Sequence, residues 1–341
     1  MCCKRPIRTL TVVCFLVSAS YAFGQTSTDR ELPLVWVLST GGTIAGQGAS
    51  STSLTEYKPG LLGEQLVSGV PEIKKVARVK VEQIANISST DITIAHWITL
   101  ANRINTIFSE DPDVKGVVVT HGTSTLEETA YFLNLTVKHD RPVIMVGAMR
   151  PATAISADGP LNLLNAIRTA VSPEARGKGV LVVLNDEING ARDVSKTNTY
   201  RVSTFRAGEL GLLGYVDGDT VSFYRSSTKR HTDHSEFDVS SLRELPRVEI
   251  LYSYVQPSVA LIKGVFADGV RGLVFAGTGA GMLSTSEREA LSPLLQLPVD
   301  SRPVVVRSNR TGNGRVVAQD EHDKLGLIPG DNLNPQRPGF S

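Results

Sequence analysis

Short apolar runs alternate along the chain with segments whose apolar residues recur at helical spacing. The runs occupy residues 34–39, 77–87, 116–120, 142–147 and 179–184, and several are apolar at consecutive positions. Strands of a parallel sheet that is covered on both faces have this pattern. Between the runs, residues 94–108 and 126–137 carry apolar side chains every three or four positions, which is typical of a helix with one buried face. We assign Trp97 and Phe132, which belong to these stripes, to the core.

The pattern changes after about residue 217, where polar and charged side chains dominate up to residue 245. Further short strands are predicted at residues 248–253, 272–276 and 303–307, with helical segments near 258–267 and 286–295. We therefore predict an α/β fold in which a larger N-terminal parallel-sheet domain spans residues 33–220. A linker at 221–246 would connect it to a smaller C-terminal α/β domain at 247–341. The length of 341 residues suits two domains, because single cores usually stop growing below that size.

Charge and composition narrow the kind of partner. The formal net charge is +1, and basic and acidic residues are interspersed. This pattern predicts neither a nucleic acid nor an anionic membrane as partner and favours a small molecule. His231 and His234 lie in the polar connection without a cluster of carboxylates, so we expect them to be solvated and predict no metal site.

The first residues have the three parts of a secretory signal peptide, which we place at residues 1–24. An apolar stretch at residues 10–17 and small residues at 20–24 follow three basic side chains, Lys4, Arg5 and Arg8. Cleavage after Ala22 or Gly24 would fit, and the product would be periplasmic or secreted. The apolar stretch is too short to cross about 30 Å of hydrocarbon. Removal of this segment would also remove every cysteine of the chain, namely Cys2, Cys3 and Cys14.

Hydroxyl side chains follow three of the predicted strands. The segments are Ser-Thr-Gly-Gly-Thr at residues 39–43, Ser-Ser-Thr-Asp at 88–91 and His-Gly-Thr-Ser-Thr at 121–125. Ligands of open parallel sheets bind beyond the carboxyl ends of the strands, so we expect a site at this edge. Gly41 and Gly42 permit a sharp turn that would bring Thr43 and backbone N–H groups to a ligand, where they could stabilise an oxyanion. A phosphate-binding turn or an ordinary turn has the same Gly-Gly-Thr sequence.

A threonine nucleophile needs a base, because its hydroxyl is protonated at neutral pH. His121 lies beside the hydroxyls, but we expect it to stabilise the turn, and lysine and tyrosine remain as bases, with Lys196 after the fifth strand. Ser124 with Glu127, or Thr125 with Glu128, would form a capping box at a helix start.

Several motifs carry a resemblance to one family. Ser-Thr-Gly-Gly-Thr-Ile-Ala-Gly at residues 39–46 and Thr-His-Gly-Thr at 120–123 resemble the two signatures of exported bacterial L-asparaginases, which include glutaminase-asparaginases. Further similar motifs are Glu-Glu-Thr-Ala-Tyr-Phe at 127–132, Gly-Ala-Met-Arg-Pro at 147–151, Ser-Ala-Asp-Gly-Pro at 156–160, Arg-Asp-Val at 192–194 and Asn-Leu-Asn-Pro at 332–335. The resemblance extends from about residue 34 to residue 336.

The resemblance implies hydrolysis of a side-chain amide by acyl transfer, without a cofactor or metal, in a homotetramer whose sites are shared between subunits. It assigns the nucleophile to Thr43, and a tyrosine on a closing loop at residues 46–60 to Tyr57. The second threonine is then Thr123, with Lys196 behind it, and a neighbouring subunit supplies Glu321. The implied substrate-binding residues are Gly42, Ser89, Thr90, Ser124 and Ala148.

Four positions depart from the family pattern. Ser124 stands where the family has an Asp that binds the substrate's α-amino group, and Thr90 stands where it often has Gln or Glu. Ala280 replaces an Asn that approaches the site from the neighbouring subunit. For the subunit-bridging acid we choose Glu321, although an ungapped count selects Gln319.

The resemblance implies a long final helix after residue 336, whereas the sequence continues with Arg-Pro-Gly-Phe-Ser. We expect the smaller domain to lack this helix and to expose apolar surface. L-asparagine is the first predicted substrate, with L-glutamine or another small amide as alternatives. The remaining alternative is an exported amino-acid-binding protein with little catalysis.

Overall fold

Two larger sheets with flanking helices, and two small sheets of two strands each, form the part of the chain that the computed structural model describes, residues 31–337. The signal peptide predicted for residues 1–24 lies outside this range. The strands are β1 (Leu34–Gly41), β2 (Gly46–Gly48), β3 (Tyr57–Pro59), β4 (Arg78–Ile87), β5 (Val114–Thr120), β6 (Val143–Val146), β7 (Val180–Leu184), β8 (Glu187–Gly190), β9 (Ser195–Lys196), β10 (Phe205–Arg206), β11 (Gly214–Asp217), β12 (Thr220–Phe223), β13 (Val248–Tyr252), β14 (Gly272–Gly277), β15 (Val304–Asn309) and β16 (Ile328–Pro329). The α-helices are α1 (Gly63–Ser68), α2 (Ile94–Glu110), α3 (Leu126–Thr136), α4 (Gly159–Val171), α5 (Ala260–Ala267), α6 (Thr285–Leu295) and α7 (Asp320–Asp323). The small sheets pair β2 with β3 and β9 with β10.

The larger sheet has eight strands in the order β12-β11-β8-β7-β6-β5-β1-β4. Five neighbouring strands, β4, β1, β5, β6 and β7, pair in parallel. The strands β8, β11 and β12 add antiparallel pairs at one edge. The five parallel strands coincide with the five apolar runs of the N-terminal part of the sequence. The predicted α/β class and its larger parallel sheet are therefore confirmed.

Both faces of this sheet are covered, which explains why consecutive residues of its strands are apolar. Val117, Val118 and Val119 of β5 are all fully buried. One face packs against α2 and α3, and the other packs against α1 and α4. The rings of Trp97 and Phe132 stack with centroids 5.2 Å apart between α2 and α3, so their assignment to the core is confirmed.

The smaller sheet contains four parallel strands in the order β13-β14-β15-β16. Helices α5 and α6 bury one face of it in a separate apolar cluster. On the opposite face, the register aligns Ile250 with Val274, Val306 and Ile328. Ile250 and Ile328 are exposed there, and so are Tyr252 and Val304.

The connection between the two sheets is less solvated than its composition suggests. Its predicted start at residue 221 falls inside β12, and from there to β13 the only regular element is a short 3-10 helix, Thr232–His234, among the described residues. His234 is exposed, but the expectation that His231 is solvated was wrong, because this side chain is only 8% exposed. Gly179 leaves the room that the imidazole occupies, since a Cβ there would lie 3.1 Å from its Cγ. The proposed linker boundaries remain a prediction.

Candidate functional site

Two glycines bring the loops after β1 and β5 into direct backbone contact. Gly41 and Gly42 have φ angles of 98° and 81°, in the left-handed region that favours glycine. A Cβ built on Gly42 would lie 2.2 Å from the Cα of Gly122. Thr43 and Thr123 each follow one of these touching glycines, so both threonines lie at the contact. The backbone N–H of Gly42 donates to the carbonyl of Ile87 at 3.0 Å and is therefore not available to an oxyanion.

Buried hydroxyls fix the strand ends beneath this contact. The Thr120 hydroxyl donates to Ser39 Oγ at 3.0 Å, and the Thr40 hydroxyl donates to the Thr120 carbonyl at 2.9 Å. All three side chains are at most 2% exposed. Such satisfied polar groups hold neighbouring strands in one register, because an unpaired buried hydroxyl is costly.

Thr43 contacts the tyrosine predicted for the closing loop. Its Oγ1 lies 2.7 Å from the hydroxyl oxygen of Tyr57. Residues 46–59 form a hairpin from β2 and β3, and the Ala152 N–H donates to the Gly46 carbonyl at 2.9 Å. A Cβ on Gly46 would lie 2.7 Å from Cδ2 of the Tyr57 ring, so this glycine makes room for the ring.

Thr123 contacts the predicted lysine. Nζ of Lys196, in β9, donates to Thr123 Oγ1 at 2.8 Å, and Thr123 is only 4% exposed. Burial lowers the pKa of Lys196 below its ordinary value, and the charge of Glu127 opposes this by raising it. Lys196 therefore loses its proton more readily than an exposed lysine, which suits a base.

Of the predicted substrate-binding residues, Ser89 and Ser124 lie beside the glycine contact, whereas Thr90 does not contact the threonine pairs. Buried Ser89 accepts the backbone N–H of Ser124 at 3.2 Å and lies beside Gly122, so the structure brings these residues together. Thr90 is exposed, and its hydroxyl contacts Ser88 at 2.8 Å rather than the threonine pairs. The side chain of Ser124 is also exposed, although its backbone contacts Ser89.

Ala148 lies in a buried turn next to Thr123. A Cβ on its neighbour Gly147 would lie 3.1 Å from Thr123 Cγ2. The turn is held by Asp158, whose carboxylate accepts the backbone N–H groups of Met149 and Arg150, each at 2.9 Å. Ala148 is fully buried and presents only a methyl group and its backbone.

The predicted capping box at the start of α3 was wrong. Thr125 is the N-cap residue, but its side chain accepts no backbone N–H. Its hydroxyl instead donates to the Ser89 carbonyl at 2.7 Å. Glu127 is directed away from the helix start, because its carboxylate accepts the backbone N–H of Lys196 at 3.4 Å.

Glu321 and Ala280 are not joined to the threonine pairs within the chain. Glu321, in α7, forms an ion pair with Arg288 at 3.4 Å, and its carboxylate lies 3.7 Å from Nδ1 of the buried His322. Across residues 31–337, no hydrogen bond or ion pair connects it to Thr43 or Lys196. Ala280 is exposed beyond β14.

His121 contacts the turn, as expected, and it is fully buried. Its Nδ1–H donates to the Gly122 carbonyl at 2.7 Å, while Nε2 accepts the hydroxyl of Thr129 at 3.0 Å. Thr129 in turn accepts Nε1–H of Trp97 at 2.7 Å. A neutral imidazole satisfies this series of donors and acceptors. Burial accordingly lowers the pKa of His121 to about 4.

A cavity of about 560 Å³ lies beside β9 but does not include the threonine pairs. Ser195 and Thr197, on either side of Lys196 in the chain, contribute to its wall. Alternate residues of a strand point in opposite directions, which separates this cavity from the Thr123 side. Within the described range, no group of three His, Cys, Asp or Glu side chains could hold a metal ion, and no helix is long and apolar enough to cross a membrane.

Sequence reasoning missed Arg337, and it gave Glu127 only a capping role. These side chains meet at 3.3 Å, although they lie 210 residues apart in the chain. Glu127 belongs to the Glu-Glu motif at 127–128, and Arg337 follows the Asn-Leu-Asn-Pro motif at 332–335. Nothing in the sequence predicts that the two residues contact each other.

Comparison with known proteins gives matches over nearly the whole described chain. Residues 34–229 match the family model "Asparaginase, N-terminal", and residues 247–338 match "Glutaminase/Asparaginase C-terminal domain". The chain is 49% identical to L-asparaginase 2 of Bacillus subtilis over 312 residues, covering 91% of this chain and 82% of that protein. It is 44% identical to a protein of Haemophilus influenzae described as probable L-asparaginase periplasmic, covering 90% and 86% of the two chains. A crystal structure described as probable cytoplasmic L-asparaginase from Campylobacter jejuni has a TM-score of 0.86 and 44% identity, covering 90% and 93%.

The buried His121 makes the stability of the fold depend on pH. Its pKa is about 4 in the folded chain and 6.5 ordinarily, so the unfolded chain takes up the proton first as the pH falls. The free energy of unfolding should decrease from about pH 6.5 downward and level off below about pH 4. The decrease is roughly 3 kcal/mol at about 1.4 kcal/mol per pKa unit.

Urea unfolding between pH 4 and pH 7 measures this decrease. His121→Gln keeps a donor and an acceptor but cannot titrate, so its decrease should be smaller by that amount. His234→Gln, at an exposed site, is the matched control. Parallel pH curves for wild type and His121→Gln would contradict the prediction.

Proposed function

Because the chain belongs to the asparaginase family, we propose that it hydrolyses the side-chain amide of L-asparagine to give L-aspartate and ammonia. One observation carries the proposal. Two threonine hydroxyls follow the two touching glycines Gly42 and Gly122, and each forms a hydrogen bond with a group that can act as a base: Thr43 with Tyr57 at 2.7 Å, and Thr123 with Lys196 at 2.8 Å.

In the proposed reaction, Thr43 Oγ1 attacks the amide carbon of the side chain while its proton passes to a neighbouring base. The C–N bond breaks as the departing NH2 group takes up that proton and leaves as ammonia, and an ester joins Thr43 to the aspartyl group. Water, activated by the Thr123–Lys196 pair, then cleaves this ester and regenerates the hydroxyl. The lowered pKa of Lys196 supports its role as a base. The sequence of steps uses no cofactor and no metal.

L-glutamine is the second candidate substrate, because the C-terminal family description names glutaminase beside asparaginase. One methylene changes discrimination in a pocket by only about 1–3 kcal/mol. Ammonia release by the purified protein with L-asparagine, L-glutamine and amides without an α-amino group ranks these substrates. Tight binding of L-asparagine without ammonia release would favour a binding protein instead.

We also propose that the chain is exported to the periplasm or beyond and that it acts as a homotetramer. The basic, apolar and small-residue segments of residues 1–24 support export, and the Haemophilus relative is described as periplasmic. A shared site is supported by Glu321 and Ala280, which the family resemblance assigns to a site but which no hydrogen bond or ion pair joins to the threonine pairs within residues 31–337.

The first prediction for this function concerns the nucleophile. Thr43→Ala should lower kcat by a factor on the order of 10⁴ or more, because loss of a covalent nucleophile has effects of this size. Thr52→Ala, an exposed threonine of the same hairpin region, is the matched control and should keep wild-type activity. Ammonia release measures both, and substantial turnover by Thr43→Ala would exclude the assigned role.

The second prediction concerns the shared site. Thr43→Ala and Glu321→Ala chains should each be weakly active as separate oligomers. Dissociating and reassembling them together should restore part of the activity, because some sites then combine an intact Thr43 with an intact Glu321. Full activity in a protein shown by light scattering to be monomeric would exclude sharing.

The third prediction concerns Ser124, which is exposed beside Ser89 and carries no charge. A carboxylate at this position would pair with the substrate's ammonium group. Hydrogen bonds to charged groups contribute roughly 1.5–3 kcal/mol, so Ser124→Asp should lower the KM for L-asparagine by about tenfold to a hundredfold. Amides without an α-amino group should show no such decrease, and an equal change for both substrate types would place Ser124 away from the amino group.

A further inference from the structure

The segment after β16 holds the strand that carries Lys196. Asn332 Oδ1 accepts Nη1–H of Arg192 at 2.7 Å, and Asn334 Nδ2 donates to Ser195 Oγ at 2.6 Å. These residues belong to the Asn-Leu-Asn-Pro motif, which had no role in the reaction described above. The contacts connect the segment after the smaller sheet to the two-stranded sheet of β9 and β10, which carries Lys196.

Arg337 continues this connection to the helix α3. Its guanidinium is only 1% exposed, and it donates to the carbonyl of Arg192 at 2.5 Å and to that of Val194. Nη2 also forms an ion pair with Glu127 Oε2 at 3.3 Å. Removal of one partner of a buried ion pair strongly destabilises the fold, because the remaining charge is left buried without compensation.

Glu127 acts on Lys196 through both its position and its charge. Its Oε1 accepts the backbone N–H of Lys196 at 3.4 Å, and the side chain is only 7% exposed. Burial lowers the pKa of Lys196, and the Glu127 carboxylate raises it. The proton affinity of the lysine is therefore set by a balance between burial and this one carboxylate.

The other charged groups around β9 have partners of their own. Arg192 pairs with Asp193 at 3.3 Å, and Arg206 of β10 pairs with Glu187 at 3.0 Å. Glu128, the next residue of α3, has a pKa raised to about 7 by burial and by Glu127, while Arg337 lowers it. The pKa of Lys196 is shifted by burial and by the charge of Glu127, so Glu128 is not one of the groups that set it.

We propose that Arg337 and Glu127 form a buried positioning pair that orients Lys196 toward Thr123 and controls its charge, an inference that rests on the proposed function of Lys196 as a base. Arg337 holds the Glu127 carboxylate and offsets part of its charge. Glu127 in turn supports the backbone of Lys196. Neither residue contacts the proposed nucleophile, so both act through the lysine.

The pair predicts opposite pH effects for its two members. Activity should rise with pH as Lys196 loses its proton. Glu127→Gln removes the negative charge that favours the protonated lysine, so the midpoint of the rising limb of kcat/KM should move to lower pH. Arg337→Gln leaves Glu127 without its cation, so the midpoint should move to higher pH, and Arg337→Lys should restore it toward wild type.

Glu128→Gln is the matched control, because it removes a neighbouring carboxylate of the same helix that does not act on Lys196. Its midpoint should stay near that of wild type. A shift of both pair variants in the same direction, or no shift in Glu127→Gln, would overturn the proposal. If Arg337→Gln does not fold, the comparison of Glu127→Gln with Glu128→Gln decides alone.

A second measurement separates this inference from the proposed function. The rate at which an amine-specific reagent labels Lys196, followed by mass spectrometry across a pH series, reports its protonation without substrate. The labelling midpoint should move in the same opposite directions in Glu127→Gln and Arg337→Gln. Correct labelling shifts in a chain that releases no ammonia would reject the function and keep the pair, whereas ammonia release with unshifted labelling would reject the pair.

Discussion

The backbone contact between Gly42 and Gly122 is the constraint on which the site depends. The strands β5, β1 and β4 are neighbours in the sheet, so their following loops converge at one edge. A single added carbon at Gly42 would lie 2.2 Å from Gly122, and one at Gly122 would lie 2.7 Å from the hydroxyl of Ser89. The threonines at 43 and 123 and the serine at 89 can therefore meet only because two adjacent loops lack side chains where they touch.

The two hydroxyl pairs at this contact are held by different kinds of structure. Thr43 and Tyr57 are 14 residues apart and meet through a short hairpin. Thr123 and Lys196 are 73 residues apart, and their contact depends on β9, on α3 and on the segment after β16. Displacement of the hairpin would separate the first pair without disturbing the second. This division suits a site that must admit a substrate at one hydroxyl while the base at the other stays oriented.

The sequence predicted the five parallel strands, because buried parallel strands are apolar at consecutive positions. It also predicted the edge of the sheet where hydroxyl side chains gather, because these side chains follow the strands directly in the sequence. The antiparallel strands β8 and β12 gave no such signal, because each mixes polar and apolar residues. The capping box failed because Thr125 and Glu127 bind distant groups instead, the Ser89 carbonyl and the Lys196 backbone. His231 was wrongly predicted to be solvated, because the segment around it is polar. Its burial depends on the space beside Gly179. The positions of these side chains are determined by contacts between distant parts of the chain, which the local sequence does not reveal.

Ser124 and Glu127 together determine the charge around the lysine. They lie three positions apart, so a carboxylate at 124 would add a second anion near the start of α3, as in the family pattern. Here Glu127 is the anion that raises the pKa of Lys196, and it shares its charge with Arg337. Burial outweighs the charge of Glu127 and lowers that pKa. We expect the absent carboxylate to weaken recognition of a substrate ammonium group and to leave the lysine closer to the neutral form that a base requires.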